Sequence, residues 1–271
     1  MNISHFFHWY GLILGFSLLV GIWLVEKKAQ QAKLSLVILD RIIIGVIISG
    51  IVGARAWHVI TAWSLYQANW TAIFEIWRGG LSIIGAIGGG MLAAFLVTKA
   101  ISKSKNKITF GQVLDVAVFG LPVAQVIGRL GNYLNQELYG LPTSVPWAIS
   151  ISPEHRLVGY EQYETYHPLF AYEMILMGFF ALWIWWWSDR QHKKGHRHSF
   201  WDMGQGTWFG CYVLYYALIR TVLDFIRPDK ALLWPGGLGI NQVILMVVAL
   251  GAWIFLLIKA QKKGIKETLY A

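Results

Sequence analysis

Apolar positions along the chain gather into seven long blocks, at roughly 7–25, 42–64, 79–98, 108–128, 168–187, 203–225 and 237–258. Each is close to the about 20 apolar residues that a helix needs to cross a bilayer. The first, third and seventh blocks carry no charge. The others hold Arg55, Asp115, Glu173, and the pair Arg220 and Asp224. Gly, Gln and charge interrupt the fourth and sixth. The pattern predicts an all-α membrane protein, a seven-helix bundle forming a single integral membrane domain over 1–271.

Composition supports spanning rather than soluble helices. Of 271 residues, 56% are hydrophobic and only 14% charged, where about 25% is ordinary for a soluble domain. With 15 Trp and a mean hydropathy of +0.50, a soluble enzyme, a disordered chain and a fibrous protein are excluded. The net charge of +9 reads as attraction to anionic lipid and a cytoplasmic excess of Lys and Arg, so no nucleic-acid partner is expected. One cysteine, Cys211, allows neither an intrachain disulfide nor a thiolate zinc cage. The first block lacks a basic leader and a small-residue cleavage signature, and reads as a retained helix.

The connecting segments predict a direction. Lys27, Lys28, Lys33 and Arg41 lie between blocks one and two, and Lys99, Lys103, Lys105 and Lys107 between three and four. Arg190, Lys193, Lys194 and Arg197 lie between five and six; Lys259, Lys262, Lys263 and Lys266 follow block seven. With seven alternating helices all four clusters fall on one face, so the expected topology is N-out and C-in. Trp63, Trp70 and Trp77 mark an interfacial belt on the other face. There the segment at about 129–167 reads as a small extracytoplasmic head. No transporter-type internal repeat is visible.

Polar residues in or beside apolar spans are the informative ones. The densest group is GRLGNYLNQELYG, residues 128–140, holding Arg129, Asn132, Asn135, Gln136 and Glu137. If helical, it places Arg129, Asn132 and Gln136 on one face. An arginine beside amides at the outer leaflet suits an anionic lipid headgroup, because guanidinium grips phosphate at two points while amides hold glycerol hydroxyls. The plainer reading is an arginine that pairs Glu137 and snorkels. In RTVLDFIRPD, residues 220–229, Arg220, Asp224 and Arg227 recur at i, i+4 and i+7. Arg220 and Asp224 suit a structural ion pair, yet one aspartate cannot neutralise both arginines.

Other polar positions have quieter readings. Arg55 is expected to bond Glu173 or Asp115 on another helix. Gly85-x-x-x-Gly89 allows close helix packing and is no phosphate loop. In HPLFAYE, His167 begins a helix as a candidate base or a locally bonded side chain, with Glu173 two turns in. His192, His196 and His198 sit in a basic loop, and no metal site is assigned.

These motifs together resemble the phosphatidylglycerol–prolipoprotein diacylglyceryl transferases of bacterial lipoprotein maturation. GRLGNYLNQELYG is similar to their signature. HWYG (8–11), GAR (53–55), WRGGLS (77–82), HPLFAYE (167–173), the GxxxGxY run ending at Tyr212, and RTVLDFIRPD with the later Asn241-Gln242 follow in the same order. The resemblance implies a multi-pass protein of the bacterial cytoplasmic (inner) membrane, seven helices with a periplasmic-side head, whose partners are the bilayer, phosphatidylglycerol and the lipobox of a prolipoprotein. It implies transfer of the sn-1,2-diacylglyceryl group to the lipobox cysteine thiol, forming a thioether and releasing glycerol phosphate, with no cofactor. It assigns Arg129 to the headgroup with Asn132, Glu137 and Gly140 beside it, makes Arg220 the essential arginine of span six, and matches Tyr10. Relatives often carry histidine where this chain has Ile84, and glutamate where it has Asp224, so that histidine's role does not transfer.

The expected chemistry is displacement at the glycerol C3 carbon by a thiolate. Arg129 and Arg220 would hold the departing phosphate, with His167, the phosphate itself or water taking the thiol proton. Asn132, Asn135, Glu137, Tyr10, Asp224 and Arg227 are the expected substrate-binding residues. The rival reading is a transporter or channel for an anionic solute, its arginines lining the path. A third is a lipid-binding membrane subunit without turnover.

Overall fold

The computed structural model describes residues 9–101, 107–193, 204, 206–229, 232 and 237–269. His8, Lys103, Lys105, Lys194, His196, Arg197 and His198 lie outside these residues. The long helices are α1 (Trp9–Gln31), α2 (Leu36–Thr61), α3 (Ile83–Ala100), α6 (Leu169–Lys193), α7 (Thr207–Leu223) and α8 (Ile240–Leu269), with a shorter pair, α4 (Phe110–Ala117) and α5 (Leu121–Leu134), between α3 and α6. Among the described residues six helices are long and apolar enough to cross a membrane, and a seventh span results if α4 and α5 count as one. That pair is bent by 48°. Pro122, which has no N–H to donate, stands at the start of α5, and Trp185 Nε1 donates to the Phe119 carbonyl at 3.1 Å. The fourth block expected at 108–128, interrupted in sequence by Gly, Gln and charge, thus folds as two helices, the second reaching Leu134.

The chain divides into two compact units. In Glu26–Leu114, α2 and α3 pack along their glycines. A Cβ on Gly85 would overlap the Gly53 carbonyl, and one on Gly89 the Ser49 carbonyl. Close helix contact is therefore what the Gly85–Gly89 spacing provides. Residues between the helices form three short 3₁₀ turns carrying the exposed Trp63, Trp70 and Trp77. Arg55 is buried beneath them and donates to the carbonyls of Ala72, Ile73, Gly79 and Gly80 at 2.5–3.0 Å. This corrects the expected pairing with Glu173 or Asp115. Irregular turns leave carbonyls without partners, and a guanidinium offers five donors.

In the other unit, Met1–Val25 with Asp115–Ala271, α1 runs antiparallel to α5, Gly21 against Ala124 and Tyr10 against Gly131. Val118, Phe119, Phe180, Ile184 and Trp208 form one buried cluster; Leu169, Met177, Ile219 and Leu223 form another between α6 and α7. Asp115 accepts backbone N–H bonds from Gly204, Gly206 and Phe209 at 2.8–3.1 Å, so it caps the start of α7.

The segment expected as a head begins inside α5, and its remainder folds on a small core of Tyr139, Ile151 and Tyr166. Strands β1 (Ile149–Ser150) and β2 (Thr165–Tyr166) pair antiparallel there. Arg156 holds the intervening turn through the carbonyls of Ile151 and Glu161, both at 2.9 Å. Burial raises the Tyr139 and Tyr166 phenols above their ordinary range.

Candidate active site

Three helices of this second unit each contribute charge to one place. Arg129 comes from the last turns of α5, Glu173 from the second turn of α6, and Arg220 from the end of α7. Glu173 is fully buried and uses both oxygens. Its Oε1 accepts from Arg129 at 2.5 Å and its Oε2 from Arg220 at 3.3 Å. Arg220 also donates to Asp224 Oδ1 at 3.1 Å, and Arg129 to Asn132 Oδ1 at 3.0 Å. Asp224 opens a 3₁₀ turn, Asp224–Ile226, after which the backbone extends. Arg227 therefore lies 3.8 Å from Asp224 and is held chiefly by Asp229, through Nε at 2.5 Å and a second nitrogen at 2.8 Å. This two-point bond raises the Arg227 pKa and holds the Asp229 carboxyl below its ordinary range.

The result is a chain of alternating charge, Arg129–Glu173–Arg220–Asp224–Arg227–Asp229, buried in the middle and open at both ends. The side chains of Glu173 and Asp224 are at most 1% exposed, Arg129 and Arg227 24% each, and Asp229 43%. Within it, Arg129 Nε and Asp224 Oδ2 have no hydrogen-bond partner among the described residues. Burying ions is expensive, and a core of this kind is weak evidence of stability. In an apolar span it is the candidate functional centre. In Arg129 the Nε is buried without a partner, while the side chain as a whole keeps partial access to solvent.

The structure brings together five of the expected site residues: Arg129, Asn132, Arg220, Asp224 and Arg227. It departs from two readings of the sequence. Arg129 pairs Glu173 rather than Glu137, because α5 ends at Leu134 and the chain then turns away. Gln136 leaves the helical face for the same reason; it adopts φ +52° and exchanges hydrogen bonds with Ser152. Leu138 is also left-handed, at φ +55°. Two L-residues in that region cost energy and mark a locally over-determined turn. The Glu137 N–H bonds the Asn132 carbonyl, and the Leu138 carbonyl accepts from Phe170. Glu137 itself sits at the exposed rim, 3.4 Å from the amides of Asn132 and Asn135.

Tyr10 lies on the α5 backbone at Gly131, where a Cβ would come 2.7 Å from its ring. His167 lies beside Gly140, and its Nδ1 is 2.9 Å from the Tyr172 hydroxyl, which accepts from Trp147 Nε1 at 2.8 Å. His167 is locally bonded, and Tyr172 and Trp147 are partners that sequence reasoning missed. The 140–141 strand of chain ties this histidine to the end of α7: Gly140 N–H donates to the His167 carbonyl, and Leu141 N–H to the Ile226 carbonyl, both at 2.8 Å. Cys211 lines an apolar groove of about 430 Å³ with Phe179, Phe180, Trp183, Leu214, Tyr215 and Leu218.

Sequence reasoning also missed Glu173 and Asp229 as partners of the arginines. A carboxylate in an apolar span was the available signal for Glu173, but its partner depends on how α6 is rotated. No group of three or more His, Cys, Asp or Glu suited to a metal occurs among the described residues.

The family model for prolipoprotein diacylglyceryl transferase matches residues 1–258. The chain is 39% identical over 224 residues to the phosphatidylglycerol–prolipoprotein diacylglyceryl transferase of Cutibacterium acnes, covering 80% of this chain and 69% of that protein. The enzymes of that name from Thermosynechococcus vestitus and Thermotoga maritima are 33% and 32% identical over 247 and 258 residues, covering 90% and 94% of this chain and 86% and 82% of theirs. Matched along nearly its whole length, and carrying its arginines where three apolar helices meet, the chain belongs to the prolipoprotein diacylglyceryl transferase family.

Proposed function

We propose that this protein transfers the sn-1,2-diacylglyceryl group of phosphatidylglycerol to the lipobox cysteine of a prolipoprotein. It does so as a single integral domain of the bacterial inner membrane, N-out and C-in, with residues 135–167 as its extracytoplasmic head. The observation that carries this reading is the junction of Arg129 and Arg220, from different helices, at one buried carboxylate. Their guanidiniums receive the phosphodiester of the lipid, and Asn132, with Asn135 and Glu137 at the rim, receives the glycerol hydroxyls. Asp224 and Arg227 complete the charged wall, and Tyr10 supports the helix that carries Arg129.

The lipobox thiolate attacks C3 of the diacylglyceryl moiety, the new S–C bond forms, and the C3–O bond to phosphate breaks. Glycerol phosphate leaves with the electron pair. Negative charge grows on its oxygens, where fixed guanidinium donors in a partly dry site stabilise it. His167 takes the thiol proton on Nε2 in the tautomer whose Nδ1–H donates to the Tyr172 hydroxyl, an oxygen that also accepts from Trp147 Nε1; that bond orients the ring and leaves Nε2 unprotonated. The test is to incubate purified protein with phosphatidylglycerol and a lipobox peptide and to seek the thioether by mass spectrometry. Thioether formation supports the reading. Binding without product supports a lipid-binding subunit, and solute flux without product supports a transporter; either refutes transfer.

A further inference from the structure

Glu173 belongs to none of the roles assigned above, yet it is the most enclosed charge in the site. Both of its oxygens are committed, one to each arginine. Each guanidinium is in turn gripped at a second edge, Arg129 by Asn132 and Arg220 by Asp224. Without a shared anion, two like charges in an apolar interior would separate. We propose that Glu173 is a positioning residue that locks Arg129 and Arg220 side by side as one two-armed phosphate clamp. The same carboxylate competes with the incoming phosphodiester, so it raises the rate of transfer and weakens headgroup binding. This rests on the transfer reading above.

Residue chemistry sharpens the proposal. Glutamine at 173 has one acceptor oxygen and turns an NH₂ donor toward the second guanidinium, so one arm is lost. Aspartate is one methylene shorter and reaches a single arginine. Neither change removes the arginines themselves.

The experiment is steady-state transfer to a lipobox peptide with phosphatidylglycerol varied, for wild type, Glu173→Gln and Glu173→Asp, alongside thermal unfolding of each. We expect kcat to fall about 10–100-fold in both variants, with KM for phosphatidylglycerol unchanged or lowered in Glu173→Gln. Furthermore, Arg129→Lys should cost several-fold less in the Glu173→Gln background than in wild type, because the two-point geometry is already lost. A kcat within about 3-fold of wild type in a folded Glu173→Gln protein overturns the proposal, as does a raised KM with kcat intact. If neither Glu173 variant folds, the arginines are tested with Glu173 in place: Arg129→Lys and Arg220→Lys combined should cost less than the product of their separate effects, and strict additivity overturns the proposal. Absence of thioether from the wild type itself would refute transfer instead, which keeps the two failures apart.

Discussion

Replacing Arg129 with lysine separates charge from geometry. The arginine spans Asn132 Oδ1 at 3.0 Å and Glu173 Oε1 at 2.5 Å through different nitrogens, and its Nε remains without a partner. A lysine ammonium keeps the charge but is one compact point on a flexible stem, and it cannot hold both neighbours and a phosphate in one plane. One charge-assisted hydrogen bond to phosphate is worth about 2 kcal/mol net, which is a loss of about 30-fold in kcat/KM for Arg129→Lys. Arg129→Ala removes two such bonds, about 4 kcal/mol, or on the order of 10³-fold. Alanine also leaves Glu173 with a weaker counter-charge, so its unfolding temperature should drop further than that of the lysine variant. The assay is thioether formation at varied phosphatidylglycerol, with Arg190→Lys at the far end of α6 as control, since Arg190 packs over the Trp186 ring at 4.0 Å, away from the site's motifs. An Arg129→Lys enzyme within about 3-fold of wild type would refute two-point recognition.

Gly140→Ala should destabilise the fold by about 1–3 kcal/mol through overpacking, lowering the melting temperature and with it activity, because the new Cβ would stand 2.9 Å from His167 Cβ and 3.0 Å from the Ile226 carbonyl; a fully active, equally stable variant would show that this junction is slack. Cys211→Ala should retain transfer within a few-fold, since the thiol lines an apolar groove and the reacting sulfur belongs to the substrate; total loss in folded protein would indicate an enzyme-linked intermediate. Asp229 is held below its ordinary pKa by Arg227, so its contribution is complete above about pH 4 and disappears as pH falls through the depressed folded value. Asp229→Asn should therefore be less stable than wild type at pH 7, with the gap closing under more acidic conditions in thermal melts; a gap that widens on acidification would contradict the sign. Periplasm-dependent reporters fused after Trp70 or near Glu161 should be active, while fusions after Lys105, Lys194 or at the C-terminus should be silent, and an active C-terminal fusion would reverse the orientation.

Much of the architecture was legible because bilayer spanning imposes a long, one-dimensional signal. The long helices match apolar blocks, with most ends shifted by a few residues and α8 running on to Leu269, and Gly85 and Gly89 packed as their spacing indicated. The bend between α4 and α5 was harder to read. Gly120 and Pro122 interrupt a segment whose average hydropathy still passes for one span, and Trp185, the donor that takes up the Phe119 carbonyl, lies far away in sequence.

The candidate site divides along the same line. By itself the sequence determined which residues were anomalous: arginines and carboxylates in or beside apolar blocks are costly wherever the helices sit, so Arg129, Arg220, Asp224 and Glu173 stood out on composition alone. Local spacing also paired Arg220, in the last turn of α7, with Asp224 four residues on. Only the tertiary structure decided that Glu173 joins Arg129 to Arg220, that Arg55 serves four carbonyls of its own unit, and that Gln136 turns off α5 to meet Ser152. Periodicity specifies the face of a helix on which a residue stands. It does not specify the rotation of one helix against another, nor the residue at which a helix gives way to a turn. Ion pairs and hydrogen bonds form over about 3 Å, and a rotation or end-point error of one residue moves a side chain farther than that.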